Sequence, residues 1–185
     1  MKTDPFYYED YLKNKFENIN IIFLYGTNIG LVDLNYEKTL KILEIDTNDP
    51  FSVSKIDGDE FKDNPSIVYD NINTFSVFSE KRFILLDLMH ISINKSLESI
   101  ILETIKIRNN SYLLIIKASN LKINSFIKHF QDIDNAILVP CYEEKINIIH
   151  SKLSDLFSKH KINFKGDILK NVMLKLSSNS LTNEM

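Results

Sequence analysis

Two apolar runs constrain the fold of this chain more than any other feature. Residues 19–25 (INIIFLY) and 112–117 (YLLIIK) are almost continuously apolar and rich in β-branched or aromatic side chains. Such runs are typical of strands that are buried on both faces, whereas a strand with one solvated face alternates apolar and polar residues. Helices cover both faces of a sheet when they connect parallel strands, so the two runs predict an α/β domain.

Three further strands and the helices between them complete this prediction. The strands are predicted at residues 51–56, 83–88 and 136–139. The first of these three is more polar, so we expect it at or near a sheet edge. Five strands that alternate with helices predict a three-layer α/β domain of Rossmann-like or P-loop-like type, with a mostly parallel five-stranded sheet and right-handed crossovers.

Local signals place the helices between these strands. Apolar residues at helical spacing predict a helix from Leu31 to Ile45, after a glycine loop at residues 26–30 (GTNIG). Asp57-Gly58-Asp59 predicts a turn, and Asn64-Pro65 predicts the next helix start, with Asn64 as N-cap and Pro65 at the first helical position. That helix is expected to end near Thr74.

The pattern changes after Pro140, which predicts a second domain. From Glu143 onward apolar residues recur at helical spacing to about His160, and Gly166-Asp167 predicts the start of another helix. Two helices leave an apolar face without further partners. We therefore expect an α/β domain over residues 1–141 and an incomplete, all-helical domain over residues 142–185.

Composition excludes several classes of function. The chain has 22 Lys and Arg against 25 Asp and Glu, so tight DNA binding by this chain alone is not expected. Its single cysteine, Cys141, cannot form an intramolecular disulfide and is interpreted as a small buried hydrophobe. The opening residues contain no apolar signal-peptide core, and no apolar run has a membrane-spanning length. We expect a cytoplasmic protein without a membrane partner.

The glycine loop after the first strand lacks the residues of a nucleotide site. In GTNIGLVD, Leu31 stands where a P-loop requires lysine, and Asp33 stands where a dinucleotide-binding motif requires its third glycine. Asp87 lies at the end of the third strand, where an acid could hold magnesium, but it has no acidic neighbour, and the histidines show no metal-ligand spacing. The loop is interpreted as a structural turn, and no catalytic, cofactor-binding or metal-binding residue is predicted.

A short apolar cluster lies between the helix that ends near Thr74 and the strand at residues 83–88. Phe75-Ser76-Val77-Phe78-Ser79 places three apolar side chains directly before the charged run Glu80-Lys81-Arg82. Two interpretations are open at this point. All three side chains could cap the core, or some could face outward as anchors of a protein interface.

Several stretches, in this order and at these separations, resemble the delta subunit family of bacterial DNA polymerase III clamp loaders. They are FLYGTNIGL, DPFSVSKIDGDEFKDNPSIVYDNINTFSVFSEKRFILL, and ASNLKINSFIKHF followed by AILVPCYEE. The resemblance extends to about Ser177. It implies an AAA+-like first domain that has lost nucleotide binding, in agreement with Leu31, and a lid-like second domain.

The resemblance also implies a site and partners. In the family, an apolar pair in a Ser-Leu-Phe type motif wedges into the sliding clamp beside its subunit interface. The matching residues here are Ser76, Val77 and Phe78, with Val77 in place of the usual leucine. The beta sliding clamp is the implied partner, and DNA is contacted only within the complex. ATP use belongs to other loader subunits, and the chain itself is expected to hold no catalytic site although it resembles part of a DNA-directed DNA polymerase holoenzyme.

The family's collar domain, which joins the loader subunits, lies beyond these stretches, so we expect weak assembly with other loader subunits. Two alternatives remain open from the sequence. One is a degenerate P-loop protein that still binds a nucleotide at residues 26–30. The other is a nonfunctional fragment of the delta subunit.

Overall fold

A computed structural model gives the fold of this chain. The structure describes residues 2–5, 7–15, 18–74, 81–104, 106–107, 111–119, 125–131, 133–143, 151, 154–155, 157–159 and 161. The chain divides into two compact units, Met1–Tyr142 and Glu143–Met185. The second unit is represented by a few described residues only, so the predicted helical lid lies almost wholly outside them.

The first unit is built on one five-stranded sheet with the strand order β2-β3-β4-β1-β5. All four strand pairings are parallel. Strand β2 lies at an edge, as its polar sequence predicts. The strands are β1 Ile21–Gly26, β2 Val53–Asp57, β3 Arg82–Leu88, β4 Tyr112–Ser119 and β5 Ala136–Pro140.

Helices cover both faces of this sheet. The helices described are α1 Tyr8–Lys15, α2 Ile29–Ile42, α3 Gly58–Asp63, α4 Ile67–Asn73, α5 Lys95–Thr104 and α6 Ser125–Gln131. Side chains of α1 and α2 pack on one face, in a core that contains Tyr8, Leu12 and Val32. Side chains of α3 to α6 pack on the other face. The predicted three-layer α/β domain is therefore confirmed.

The continuous apolar runs owe their composition to this two-sided cover. Every residue of β1 is buried, and successive side chains enter opposite cores: Ile21 and Phe23 join the core beneath α3 to α6, and Ile22 and Leu24 join the core beneath α1 and α2. Burying a large apolar side chain contributes about 1.5–3 kcal/mol, so both faces of this central strand stabilise the fold.

Two predicted boundaries are wrong because a polar side chain caps the helix at another position. Helix α2 begins at Ile29, since the Asn28 side chain accepts a hydrogen bond from the Leu31 N–H. The predicted turn at Asp57-Gly58-Asp59 is instead the start of α3, with Asp57 as its N-cap.

The start of α4 is also displaced from its prediction. The helix begins at Ile67 rather than at Pro65, and Ser66 occupies the N-cap position without a side-chain capping bond. Asn64, the predicted N-cap, instead ends α3, where its backbone N–H donates to the Glu60 carbonyl. The end of α4 at the C-cap Thr74 agrees with the prediction.

No helix in the described part of the chain combines the length and apolar character needed to span a membrane.

Candidate functional site

The loop after β1 lies where open α/β sheets bind ligands, at the carboxyl ends of the strands. We call this end of the sheet the carboxyl edge, and the opposite end the amino edge. Three residues separate Gly26 from Gly30, whereas a P-loop has four between its first glycine and its Gly-Lys pair. Gly30 lies inside α2 and so does not belong to the loop. The loop is thus shorter than a phosphate-binding loop.

Backbone N–H groups of this loop already donate hydrogen bonds to acceptors within the chain. The Asn28 N–H donates to the carbonyl of Cys141, at 3.0 Å, and the Leu31 N–H donates to the Asn28 side chain, also at 3.0 Å. The Cys141 N–H in turn donates to the carbonyl of Tyr25 at 2.6 Å. A phosphate at a helix N-terminus is bound by backbone N–H groups. Here two of those groups have internal acceptors.

Gly26 closes the loop against the segment after β5. Its φ of 149° lies in a region that L-residues with a side chain rarely adopt, and a Cβ at this position would overlap the Cys141 carbonyl. The requirement for glycine here comes from close backbone packing. The sequence interpretation of a structural turn agrees with this geometry.

Asp87, considered above as a metal-holding acid, has a lysine as its partner. Its carboxylate lies 2.9 Å from the Lys117 amino group, and the Asp33 carboxylate lies 3.4 Å from the same nitrogen. Lys117 also lies over the ring of Tyr36, 5.0 Å from its centroid. The positively charged amino group of Lys117 therefore lies between helix α2 and the end of β3.

The charges around Lys117 keep it protonated. Burial alone would lower its pKa, but the hydrogen bond and charge of Asp87, together with Asp33, outweigh burial and raise the pKa above its ordinary value. A pocket of about 260 Å³ adjoins this group and is lined in part by Lys55, Asp57 and Tyr36. Sequence reasoning missed Lys117, although its position at the end of an apolar strand was visible.

Cys141 is fully buried, which confirms its interpretation as a small hydrophobe. Burial raises the pKa of its thiol to about 12, and hydrogen bonds with Asn35 and Tyr25 offset only part of that effect. Among the described residues, no group of three or more His, Cys, Asp and Glu side chains is arranged to hold a metal ion.

The predicted clamp-binding residues Ser76, Val77 and Phe78 lie outside the described residues, together with the rest of segment 75–80. Both ends of this segment are described. At one end, the Thr74 hydroxyl donates to the Asp70 carbonyl at 2.7 Å. At the other, the Lys81 amino group donates to the Ile19 carbonyl at 3.1 Å. The described residues that flank the segment are therefore the C-cap of α4 on one side and, on the other, the residue directly before β3 at the amino edge of the sheet.

Arg82, the first residue of β3, connects three parts of this edge. Its guanidinium donates to the Phe51 carbonyl at 3.4 Å, to the Ser54 hydroxyl at 2.7 Å and to the Asn71 side-chain oxygen at 3.3 Å. The Ser54 hydroxyl donates to the same Asn71 oxygen at 2.6 Å. We call Arg82, Ser54 and Asn71 the Arg82 network. Sequence reasoning did not single out any of the three as functional.

Comparison with known proteins gives a likeness in structure only. No family model matches the sequence, and no curated protein matches it. The DNA clamp loader delta protein of Bacillus subtilis has a similar structure, with a TM-score of 0.59 and 15% sequence identity; the match covers 84% of this chain and 48% of that chain. This chain thus spans about half the length of the B. subtilis protein.

Two other solved structures have lower scores. Domain III of the Thermotoga maritima replication initiation protein DnaA matches with a TM-score of 0.44 and 13% identity, over 91% of this chain and 73% of that one. A RuvB variant from T. maritima matches with a TM-score of 0.43 and 10% identity, over 89% and 52% of the two chains. The B. subtilis match carries the conclusion: this chain shares its α/β fold with that protein, and the predicted three-layer α/β domain with a mostly parallel five-stranded sheet is confirmed.

Proposed function

We propose that this chain acts in DNA replication by binding a bacterial sliding clamp through Ser76, Val77 and Phe78, and that it opens the clamp ring. The observation that carries the proposal is the structural match to a clamp loader delta protein over 84% of this chain. The resemblance in sequence around residues 75–82 assigns the site within that fold.

The framework around segment 75–80 supports this assignment. The two residues that flank the segment are hydrogen-bonded in the folded domain, Thr74 to the Asp70 carbonyl within α4 and Lys81 to the Ile19 carbonyl. An interface anchor binds more tightly when its backbone is held in place before binding, because less conformational entropy is then lost. The described ends therefore suit a segment that presents apolar side chains to a partner.

The carboxyl edge supports the same proposal from the other side of the domain. The loop after β1 is short, and two of its N–H groups that could bind a phosphate already donate hydrogen bonds within the chain. The Asn28 N–H donates to the Cys141 carbonyl, and the Leu31 N–H donates to the Asn28 side chain. A subunit of this kind acts by differential binding: it favours the open or strained form of the ring and shifts the clamp population toward it. In this proposal ATP is bound by other loader subunits.

The test is the affinity of this chain for the sliding clamp of the same organism. Surface plasmon resonance should give a measurable Kd for the unaltered chain. The double variant Val77→Ala, Phe78→Ala should bind at least about thirtyfold more weakly, since loss of a central apolar anchor costs about 2 kcal/mol or more. A second readout is dye separation across the clamp's subunit interface, which should increase when the unaltered chain binds.

Leu34→Ala is the matched control. Leu34 lies on α2 and is 52% exposed, so its truncation also removes exposed apolar surface, at a site outside segment 75–80. We expect its clamp affinity to stay within about twofold of the unaltered chain. Equal affinity of the double variant and the unaltered chain would refute the site. Binding without a change in dye separation would refute clamp opening alone.

A further inference from the structure

We propose that the pocket between helix α2 and the edge strand β2 binds a small zwitterion of the size of a free amino acid, with its carboxylate at Lys55 and its ammonium group at Asp57. The pocket has a volume of about 260 Å³. It lies at the carboxyl edge of the sheet, where open α/β sheets bind ligands. None of the residues proposed to bind the clamp lines it, so the inference goes beyond the function proposed above.

The strand register brings the charged side chains of this pocket onto one face of the sheet. Asp57 of β2 pairs with Asp87 of β3, and Asp87 pairs with Lys117 of β4. Lys55 lies two residues before Asp57, and side chains two residues apart on a strand point to the same face. Val53, two residues before Lys55, is buried in the core beneath α1 and α2. The charged row therefore lies on the face that α2 covers.

The four charges of the pocket form one ion pair and two unpaired groups. Asp87 and Lys117 lie 2.9 Å apart and neutralise each other. Within the described part of the chain, neither Lys55 nor Asp57 has an ion-pair partner, and the two do not pair with each other. The Asp57 carboxylate accepts one hydrogen bond, from the Glu60 N–H at 2.8 Å, which leaves lone pairs for a ligand. The pocket thus offers one cation and one anion.

These two charges select the class of ligand. An anion bound at Lys55 would be repelled by the Asp57 carboxylate, and a cation bound at Asp57 would be repelled by Lys55. A molecule with one charge of each sign avoids both repulsions and makes two charge-assisted hydrogen bonds. The strand rise places the two Cα atoms about 6.6 Å apart. An ammonium group and a carboxylate attached to the same carbon suit this short separation.

Tyr36 and Leu85 supply the apolar surface of the pocket. Leu85 is in register with Lys55 on the neighbouring strand, and Tyr36 packs against the same core from α2. Burial raises the pKa of the Tyr36 hydroxyl, although the charge of Lys117 opposes this, so the hydroxyl stays protonated at neutral pH. A short apolar side chain of the ligand would lie against these two residues. Because Lys55 and Asp57 are exposed, water competes for them, and we expect a Kd of about 1 mM.

The experiment measures binding of amino acids and of truncated analogues to the full chain by ligand-observed nuclear magnetic resonance. L-Leucine is the main probe, and glycine tests the two charged groups without a side chain. Isocaproate lacks the ammonium group of leucine, and isoamylamine lacks its carboxylate. We expect each of these two analogues to bind at least about tenfold more weakly than L-leucine, since each loses one charge-assisted hydrogen bond.

Variants of the two charged residues locate the site. Lys55→Met removes the cation, and Asp57→Asn removes the anion while keeping a side chain that can cap α3. Each should weaken L-leucine binding about tenfold or more. Lys41→Met and Asp46→Asn are the matched controls, because Lys41 and Asp46 line a neighbouring groove but not this pocket. Their affinity should stay within about twofold of the unaltered chain.

Several outcomes would overturn the site. They are failure of both L-leucine and glycine to bind the unaltered chain, binding of either truncated analogue as tight as that of L-leucine, and unchanged binding in Lys55→Met or in a folded Asp57→Asn. Circular dichroism checks the fold of each variant, and Lys55→Met alone decides if Asp57→Asn does not fold. Clamp affinity is measured separately, so the proposed function stands or fails independently of this site.

Discussion

Lys117 places one positive charge between two carboxylates at the carboxyl edge of the sheet. Its side chain is 19% exposed, and those of Asp87 and Asp33 are 38% and 51% exposed. Water therefore screens the acids more than it screens the amine. An ion pair of this intermediate kind stabilises a fold more than a fully exposed pair does and less than a buried one.

We predict that Lys117→Met destabilises the chain by about 1–2 kcal/mol, because it leaves two carboxylates without their cation. Urea unfolding measures the change. The raised pKa of Lys117 sets the pH dependence: its contribution is present below the ordinary value of 10.5 and is lost as the pH rises through the higher folded value. The difference between variant and unaltered chain should therefore shrink above pH 10.5.

Lys55→Met is the control for this prediction. Lys55 lines the same pocket, but the structure gives it no ion pair within the described residues. Its replacement should change the free energy of unfolding by less than about 0.5 kcal/mol. Equal effects of the two substitutions would show that loss of a lysine, rather than loss of the pair, explains the result.

The contrast between Leu31 and Lys117 shows how far residues can be interpreted from sequence. Leu31 could be recognised as a departure from a P-loop because the motif has fixed spacing along the chain. Lys117 could not be assigned to Asp87, since their contact depends on β3 and β4 being neighbours in the sheet. Strand order is a property of the whole fold. The Arg82 network was missed for the same reason.

At the scale of elements, two glycines with opposite requirements lie on either side of the connection from β1 to α2, Gly26 at the end of the strand and Gly30 inside the helix. Gly26 has a φ of 149° and packs against the Cys141 backbone, whereas Gly30 lies in α2, where the nearest atom to an added Cβ would be 3.8 Å away. The two positions therefore form a matched pair for substitution by alanine.

We predict that Gly26→Ala destabilises the domain by about 3 kcal/mol, because backbone strain adds to overlap with the Cys141 carbonyl. Gly30→Ala should instead stabilise it by about 0.5 kcal/mol, since alanine favours the helix. Thermal or urea unfolding of both variants is the measurement.

Nucleotide addition supplies the outcome that would contradict this view of the loop. A ligand that binds only the folded state raises its stability. We expect saturating ATP with magnesium to leave the unfolding transition of the unaltered chain unchanged. Stabilisation by ATP, abolished in Gly30→Ala, would mean that the loop opens around a phosphate and would favour the degenerate P-loop alternative.

Element boundaries were harder to predict than element types. The strands near residues 19–25 and 112–117 were recognisable because burial on both faces leaves a long apolar signal. The start of α4 was not, because Asn64, Pro65 and Ser66 all suit a helix N-terminus and the sequence does not rank them. Ser66 takes the N-cap position, although its hydroxyl donates to the Asn64 side chain at 2.8 Å instead of capping the helix.

At the scale of the whole molecule, the fold could be predicted without the strand order, while the proposed clamp-binding residues could be assigned only by resemblance. Two-sided burial dictates helices on both faces, which is a consequence of apolar patterning alone. An exposed apolar wedge has the same composition as a core cap, so Phe75, Val77 and Phe78 cannot be sorted by pattern.

The two cores of Met1–Tyr142 share every strand of the sheet, and this sharing leads to the last prediction. Truncating a buried side chain on either face of the sheet should destabilise both cores, because each central strand contributes side chains to the two of them. The chain has 8 tyrosines and no tryptophan, and all of the tyrosines lie within Met1–Tyr142. Near-ultraviolet circular dichroism of tyrosine therefore reports on this unit.

We expect the tyrosine signal of the unaltered chain to be lost in one cooperative urea transition. Leu12→Ala, on α1, and Ile101→Ala, on α5, should each shift that transition as a whole by about 2–5 kcal/mol without splitting it. A gradual loss of signal in the unaltered chain would favour the nonfunctional fragment, since a chain that cannot close its cores has no cooperative unit to unfold. A split transition in one variant would instead mean that the two faces fold separately, although they are opposite sides of the same strands.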